Sequence, residues 1–453
     1  MQINAYIFRE YDIRGVVEHD FAGAVPELVG RAFGSEVRHA CPDVVQPVVA
    51  VGRDNRPSSP GLAEKIIRGL RAAGVKVIDL GTVPTPVLYY AVQRYDTDGG
   101  LQITGSHNPP EYNGFKTVAG KSTIYGPAIQ EVYRVLSQGD FDQGCGHVIE
   151  ADIVTPYVDE VAKQFKFAND VRVVIDCGNG AAGPVMHRLL RKLHLDAVEM
   201  FFEPDGRFPN HHPDPTVEEN LAALQRKVKE YNADLGIAFD GDGDRIGAVD
   251  DQGHVVWGDQ LMIVFGREIL KRKPGATFIG EVKCSQVMYD ELKRLGGRPI
   301  MYKTGHSLIK AKMKEEHAEL AGEMSGHMFF ADRYYGFDDA LYAACRLMEI
   351  VAASGKPLSA QLKGLPRMVV TPELRFDCPD EAKFDIVARV KEHFRARREI
   401  IEVDGVRVLF EKGWGLVRAS NTQPILVLRF EAETPELLRQ YRDEVESVVR
   451  ASV

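Results

Sequence analysis

Leu235-Gly-Ile-Ala-Phe-Asp-Gly-Asp-Gly-Asp-Arg-Ile-Gly-Ala-Val-Asp250 decides how the rest of the chain is read. Its two ends, LGIAF and IGAVD, are short apolar runs that predict buried strands. Between them stand Asp240, Asp242 and Asp244, spaced by glycines and followed by Arg245. Carboxylates at i, i+2 and i+4 can curl onto one point, which a bound cation makes tolerable. Oxygen-only donors favour Mg2+ or Ca2+ over Zn2+. An EF-hand is the obvious rival, because DxDxD opens that loop and Asp251 stands at its twelfth position. It fails at the sharp turn, where Arg245 replaces the required glycine, and its flanks should be helices. A solvated acidic turn is the bland alternative, and the packing of charge at a strand end argues against it. Three Asp ligands leave room for water or a phosphoryl oxygen, as Mg2+ sites of phosphoryl transfer require.

Outward from this stretch the chain alternates apolar runs, small-residue turns and amphipathic helices. Val44 to Gly52 predicts a strand, followed by RDNRPSS, a helix over about Pro60–Ala73 and the strand VKVIDL. Val171–Asp176, the turn CGNG and a helix over about Ala181–Leu193 repeat the theme before Leu235. Ala276–Val282, KCS, a helix to about Leu295, the strand RPIMYK, the turn TGHS and a helix over Leu308–Glu316 repeat it again. Strands buried on both faces and alternating with helices predict three related α/β domains. From Arg367 the pattern changes to a strand, a helix over Asp380–Arg398, a hairpin at Asp404-Gly405, two more strands and a helix over Pro435–Arg450. That is a separate α+β domain, with the expected hinge near SGKPLSAQLKGLP. The expected domains are residues 1–148, 149–252, 253–366 and 367–453.

Three further loops carry chemistry. In LQITGSHNPPEYNGFK, Ser106 stands where a strand releases its chain, a suitable place for a nucleophile. It does not match GxSxG, and the neighbouring His107 need not reach its hydroxyl. Taken alone, this loop is more often a turn held by polar side chains. Glu323, Ser325 and His327 in AGEMSGH could bond sugar hydroxyls, or could cap a turn. Arg418, Ser420, Asn421 and Thr422 in VRASNTQP suit a phosphate cradle, or a plain β-turn. Tyr11, Arg14, Lys116, Lys283 and His306 are weaker singly. The pair His211-His212 invites a zinc reading, but no second ligand cluster has suitable spacing, so it reads as structural.

The 453 residues carry 56 basic and 65 acidic side chains, a net charge of -9 that disfavours nucleic acid or an anionic membrane as partner. Six scattered cysteines without CxxC suit a reducing compartment. No apolar run approaches membrane-span length, and the N-terminus lacks a signal pattern. The expectation is a soluble, cytoplasmic protein, monomeric for want of a long apolar stripe.

Together the four loops resemble the α-D-phosphohexomutase superfamily, and within it the phosphomannomutase/phosphoglucomutase group, in family order across essentially the whole chain. TGSHNP resembles the phosphoserine loop, with TG where TA is also common. DGDGDR resembles the metal loop, GEMSGH the sugar-binding loop and RASNTQP the phosphate-binding loop. The resemblance implies three similar mixed-sheet α/β domains and a TATA-box-binding-protein-like α+β domain around a central cleft. It implies a mutase acting on hexose phosphates through phosphorylated Ser106 and a 1,6-bisphosphate, with glucose 1,6-bisphosphate as activator. Mg2+ would sit on Asp240, Asp242, Asp244 and Ser106. Lys116 and Arg245 would stabilise the transferring group, with Lys116 as acid; His107 would assist and His327 is a candidate base. Glu323 and Ser325 would hold sugar hydroxyls. Arg418, Ser420, Asn421 and Thr422 would bind the resting phosphate, and Tyr11, Arg14, Lys283 and His306 match further cleft positions. GEMSGH is similar to the dual glucose/mannose group, whereas phosphoglucosamine mutases usually carry Gln at Met324. A phosphoglucosamine or phosphopentose mutase, a silent sugar-phosphate binding protein and a magnesium-dependent phosphatase are the alternatives.

Overall fold

The computed structural model describes residues 3–420 and 424–452. Its first sheet contains β1 (Ile13–Val16), β2 (Val48–Arg53), β3 (Lys76–Thr82), β4 (Gly99–Ile103), β5 (Tyr112–Ala119), β6 (Ser122–Thr123) and β7 (Val148–Glu150). The second contains β8 (Val173–Asp176), β9 (Ala197–Met200), β10 (Leu235–Phe239), β11 (Ile246–Asp250) and β12 (Val255–Val256). The third contains β13 (Thr277–Glu281), β14 (Arg298–Tyr302), β15 (Leu320–Gly322) and β16 (Met328–Phe330). The fourth contains β17 (Val369–Val370), β18 (Leu374–Asp377), β19 (Ile400–Ile401), β20 (Val406–Phe410), β21 (Gly413–Ala419) and β22 (Ile425–Ala432).

The first three sheets share one topology. Their cores run β5-β4-β2-β3, β11-β10-β8-β9 and β16-β15-β13-β14. Within each, three strands are parallel and the outermost is antiparallel. In each, the first strand returns through a helix to the second, and the second through a helix to the third. Such crossovers are what a parallel sheet needs, and they explain why the strands read as unbroken apolar runs. The fourth sheet is antiparallel and backed by the helices Lys383–Arg395 and Pro435–Ser452. The fold class expected from the sequence is therefore the one observed.

Local differences follow from packing. The first sheet continues to Glu150 and the second to Val256, because β7 joins β3 and β12 joins β11. The third-domain helix begins at His306, two residues earlier than its apolar pattern, after Gly305 at φ +134° turns the chain. β19 and β20 are joined by residues 402–405, a wider turn than the tight hairpin expected, with only Gly405 at positive φ. Much of the expected hinge is docked. Leu358 is fully buried, its amide meets Asp234 O, and the Ser359 amide meets Asp251.

One apolar core runs through the first three domains, joining Ala50 and Ile78 to Ile175 and Leu235 and on to Phe278 and Leu341. The fourth domain has its own core around Val390, Leu428 and Val445. A small cluster of Val282, Trp414 and Leu416 bridges it to the third domain. The six cysteines form no disulfide. Among the described residues no helix is long and apolar enough to cross a membrane.

Candidate active site

The serine, metal and sugar loops occupy the same topological position. Each connects the third parallel strand of its sheet to the antiparallel strand: β4 to β5, β10 to β11 and β15 to β16. Three equivalent sheet ends thus deliver three different sets of side chains to one cleft.

Ser106 is 2% exposed and sits at φ +48°. That conformation is uncommon outside glycine and is held here by its surroundings. Arg56, itself 1% exposed, makes the clamp. Its Nη2 donates to Ser106 O (2.8 Å) and Asn108 O (2.6 Å), and its Nη1 to Pro109 O (2.6 Å) and Tyr112 O (3.1 Å). Asp54 receives Arg56 Nε at 3.2 Å and the Gly105 amide at 3.1 Å. A Cβ at position 105 would lie 2.4 Å from Arg56 Cζ, so the glycine before Ser106 is matched to this clamp. Ser106 Oγ donates to Asp240 Oδ2 at 2.9 Å and lies 3.0 Å from His107 Nδ1. His107 therefore does reach the hydroxyl, because the left-handed turn at Ser106 brings adjacent side chains together. Burial, then the nearby Arg245, pushes the His107 pKa well below the usual histidine range.

The metal loop is wrapped around Asp240, whose Oδ1 accepts the Asp244 and Arg245 amides, each at 3.1 Å. All three α/β domains fix it, its own included. Thr85 donates to Asp242 Oδ2, Ala181 N to Gly241 O and Ala340 N to Gly243 O. A Cβ at Gly241 would lie 2.5 Å from Ser106 O, so the serine and metal loops touch backbone to backbone. The three aspartates are fully buried, with one oxygen of each within 4.8 Å of the others. Lys116 donates to Asp242 Oδ2 at 2.7 Å and to Asp244 Oδ2. Burial works against the Lys116 charge, but the two carboxylates win and hold its pKa well above the usual lysine value. Asp242 Oδ1 accepts no bond, and Asp244 Oδ1 has only His327 Nε2, 3.2 Å away and off the hydrogen-bond direction. Two orphaned carboxylate oxygens beside the Ser106-bound Asp240 are a hard, anionic donor set that fits a divalent cation.

In the sugar loop, Glu323 Oε2 bonds His327 Nδ1 at 2.5 Å while Oε1 accepts the Gly305 amide at 2.8 Å. Burial opposes the charge on His327, yet Asp244 and Glu323 hold its pKa up to about 9, so it carries a proton at neutral pH. Arg245 Nε lies 3.3 Å from the same ring, and Ser325 Oγ 3.5 Å from Glu323. His306 packs beside His327, with 5.7 Å between ring centroids.

Thr304 ties the remaining pieces together. Tyr11 Oη donates to its carbonyl at 2.8 Å, and its hydroxyl donates to Glu281 at 2.8 Å. Its amide donates to Asp404 Oδ2 at 3.1 Å, the oxygen that also accepts Arg418 Nε at 3.0 Å. Lys283 is 7% exposed and pairs with Glu373 at 3.3 Å. Arg14 joins the serine loop through Asn108 Oδ1 at 2.8 Å. Ser420 is buried beside Arg418, whereas Asn421 and Thr422 lie outside the described residues.

Sequence reading missed Arg56 and Thr85 and saw in Asp404 a turn residue alone; His212, read as structural, bonds the His107 carbonyl through Nε2. Arg56 follows β2 much as Lys283 follows β13, but nothing in the residues around it marks its side chain as buried. The His211-His212 pair is structural as read, with His211 bonded to Asp176 at 2.9 Å.

Comparison with known proteins agrees with this geometry. The phosphoglucomutase/phosphomannomutase family models match domain by domain: alpha/beta/alpha domains I, II and III over residues 5–143, 155–253 and 257–369, and the C-terminal domain over 373–448. A phosphomannomutase/phosphoglucomutase of Pseudomonas aeruginosa is 45% identical over 448 residues, covering 99% of this chain and 96% of that protein. A phosphoglucomutase of Neisseria gonorrhoeae is 42% identical over 451 residues, covering 98% and 97%. The crystal structure of a phosphoglucomutase/phosphomannomutase family protein from Burkholderia thailandensis superposes with a TM-score of 0.93 at 43% identity, covering 100% of this chain and 98% of that one. With four domain models in order and full-length relatives, the chain belongs to the phosphoglucomutase/phosphomannomutase family of α-D-phosphohexomutases.

Proposed function

We propose that this chain interconverts the 1- and 6-phosphates of glucose and mannose through phosphorylated Ser106 and a hexose 1,6-bisphosphate. The observation that carries the reading is Ser106 Oγ held on Asp240, with Lys116 across the same carboxylate cluster. The free hydroxyl of a hexose phosphate attacks the phosphorus on Ser106. Its O–P bond forms as the serine Oγ–P bond breaks, and Lys116 returns a proton to Oγ. In a loose transition state the attacking hydroxyl loses its proton late, to His327 in the fraction of molecules whose ring is neutral. The bisphosphate then turns end for end, and its other phosphate returns to Ser106 by the reverse steps.

Asp240, Asp242 and Asp244, with a phosphate oxygen on Ser106, would hold Mg2+, which neutralises charge on the transferring group when bound. Arg245 supports that charge from the side, and His107 holds the serine oxygen. Glu323 and Ser325 bind sugar hydroxyls, with His306 and Tyr11 lining the ring. Arg418 and Ser420, followed in the chain by Asn421 and Thr422, hold the phosphate that is not reacting, with Lys283 and Arg14 nearby. Glucose 1,6-bisphosphate serves as activator by rephosphorylating Ser106. The family relatives are named for glucose and mannose phosphates, which supports both epimers as substrates.

The test is conversion of glucose 1-phosphate and mannose 1-phosphate to their 6-phosphates with Mg2+ and trace glucose 1,6-bisphosphate. Turnover of both sugars is expected. Turnover of neither, with glucosamine or pentose phosphates accepted instead, would overturn the substrate assignment.

A further inference from the structure

Asp404 lies outside the four signature loops, on the wide turn between β19 and β20. One of its oxygens does two things at once. It accepts Arg418 Nε at 3.0 Å, within the fourth domain, and the Thr304 amide at 3.1 Å, across to the third. Thr304 in turn receives Tyr11 from the first domain at 2.8 Å. Both carboxylate and guanidinium are largely buried, with side chains 15% and 7% exposed. The turn cannot shift freely, since a Cβ at Gly405 (φ +80°) would lie 2.3 Å from Val417 O on the strand that carries Arg418.

The atom used on Arg418 matters. A carboxylate that merely neutralised an arginine would best take its terminal fork, the pair of nitrogens that grips a phosphate bidentately. Asp404 engages Nε, and so fixes the plane of the guanidinium from behind. We propose that Asp404 is a positioning residue for phosphate capture: it orients the Arg418 fork toward the resting phosphate and, through Thr304, docks the fourth domain on the third in the same bond network. This rests on the mutase reading for the identity of the ligand. It goes beyond that reading in assigning an acidic residue to an anion site.

The sign of the effect separates positioning from charge. Removing a carboxylate beside Arg418 makes the site more positive, so a purely electrostatic role predicts tighter anion binding in Asp404→Ala. Positioning predicts the opposite. Calorimetry with inorganic phosphate should show about a tenfold weaker Kd for Asp404→Ala and an intermediate value for Asp404→Asn, which keeps an acceptor oxygen. In the mutase assay KM should rise about tenfold with kcat changed less than threefold, and more glucose 1,6-bisphosphate should be needed because the intermediate escapes. In an Arg418→Met background the Asp404→Ala change should cost little, the coupling expected of residues that act together. Tighter or unchanged phosphate binding in Asp404→Ala, or additive effects of the two substitutions, would overturn the proposal. Wild-type binding of phosphate without sugar-phosphate turnover would overturn the mutase reading alone, leaving the Kd comparison to decide on Asp404.

Discussion

The two ends of the cleft are built on different terms. At the reacting end, the serine and metal loops rise from a core shared by three domains. Arg56 holds four carbonyls of the serine segment, and all three domains bond the metal loop. At the holding end, Arg418 sits on a domain with its own core, joined to the rest, among the described residues, by one small apolar cluster and a few polar bonds. The difference matches the two halves of the chemistry. Phosphoryl transfer needs atoms fixed to fractions of an ångström, whereas a bisphosphate that reverses needs one wall able to give way.

The harshest test of the fixed end is removal of its reacting atom. Ser106→Ala should lower turnover at least about a thousandfold, since no other nucleophile replaces it. Conservative loss at the holding end, Arg418→Lys, should lower kcat/KM only about tenfold, chiefly through KM. Comparable losses from the two, measured by steady-state kinetics, would break the comparison.

Arg56 tests whether rigidity itself matters. Arg56→Lys keeps the charge but cannot span the same carbonyls, leaving buried acceptors unpaired. The expected cost is about 3 kcal/mol of stability, with kcat down ten- to a hundredfold and KM little changed. Thermal unfolding and kinetics of the same preparation check both. A variant that loses stability yet keeps kcat would show that the clamp serves the fold alone.

This residue also marks the limit of what the sequence tells. Asp240, Asp242 and Asp244 were legible because glycine-spaced carboxylates after a buried strand have few other uses. The repeated α/β order was legible because parallel strands must be apolar throughout. Arg56 was not, because nothing in RDNRPSS distinguishes a buried guanidinium from a solvated one; its partners are backbone carbonyls 50 or more residues away. Asp404 was read as turn chemistry, which suits Asp-Gly, while its bond to Thr304 depends on how two domains dock. His107 shows the same limit at short range, since only the positive φ of Ser106 brings the neighbours together.

At the holding end the comparable substitution is Arg407→Met. Arg407 is fully buried, donates to Val282 O and Cys284 O at 2.8 Å each, and lies 3.8 Å over the Trp414 ring. Those two carbonyls flank Lys283. Loss of the cation should weaken docking by about 2 kcal/mol, raising KM severalfold while kcat holds. Trp414, one of two tryptophans, should shift its emission to longer wavelength as the interface loosens. A change in kcat without that shift would contradict a docking role.

The smallest effect concerns pH, and it too should divide the two ends. His211 on the cover of the serine loop bonds Asp176, and although burial opposes its charge, that carboxylate raises its pKa above the usual value. A histidine whose folded pKa exceeds its unfolded one contributes stability fully below about pH 6.5 and loses it as pH rises through the folded pKa. Wild type should therefore exceed His211→Asn in thermal midpoint at pH 6, by a degree or two for about 1 kcal/mol, with the gap closing by pH 9. The cations joining the fourth domain to the third are the Arg407 guanidinium and the Lys283 ammonium, whose pKa Glu281 and Glu373 hold above the usual lysine value against burial, and both keep their charge over that range. The gap between wild type and Arg407→Met should stay constant from pH 6 to 9. If it closed in step with that of His211→Asn, the two ends would share one titrating support, and the division drawn between them would fail.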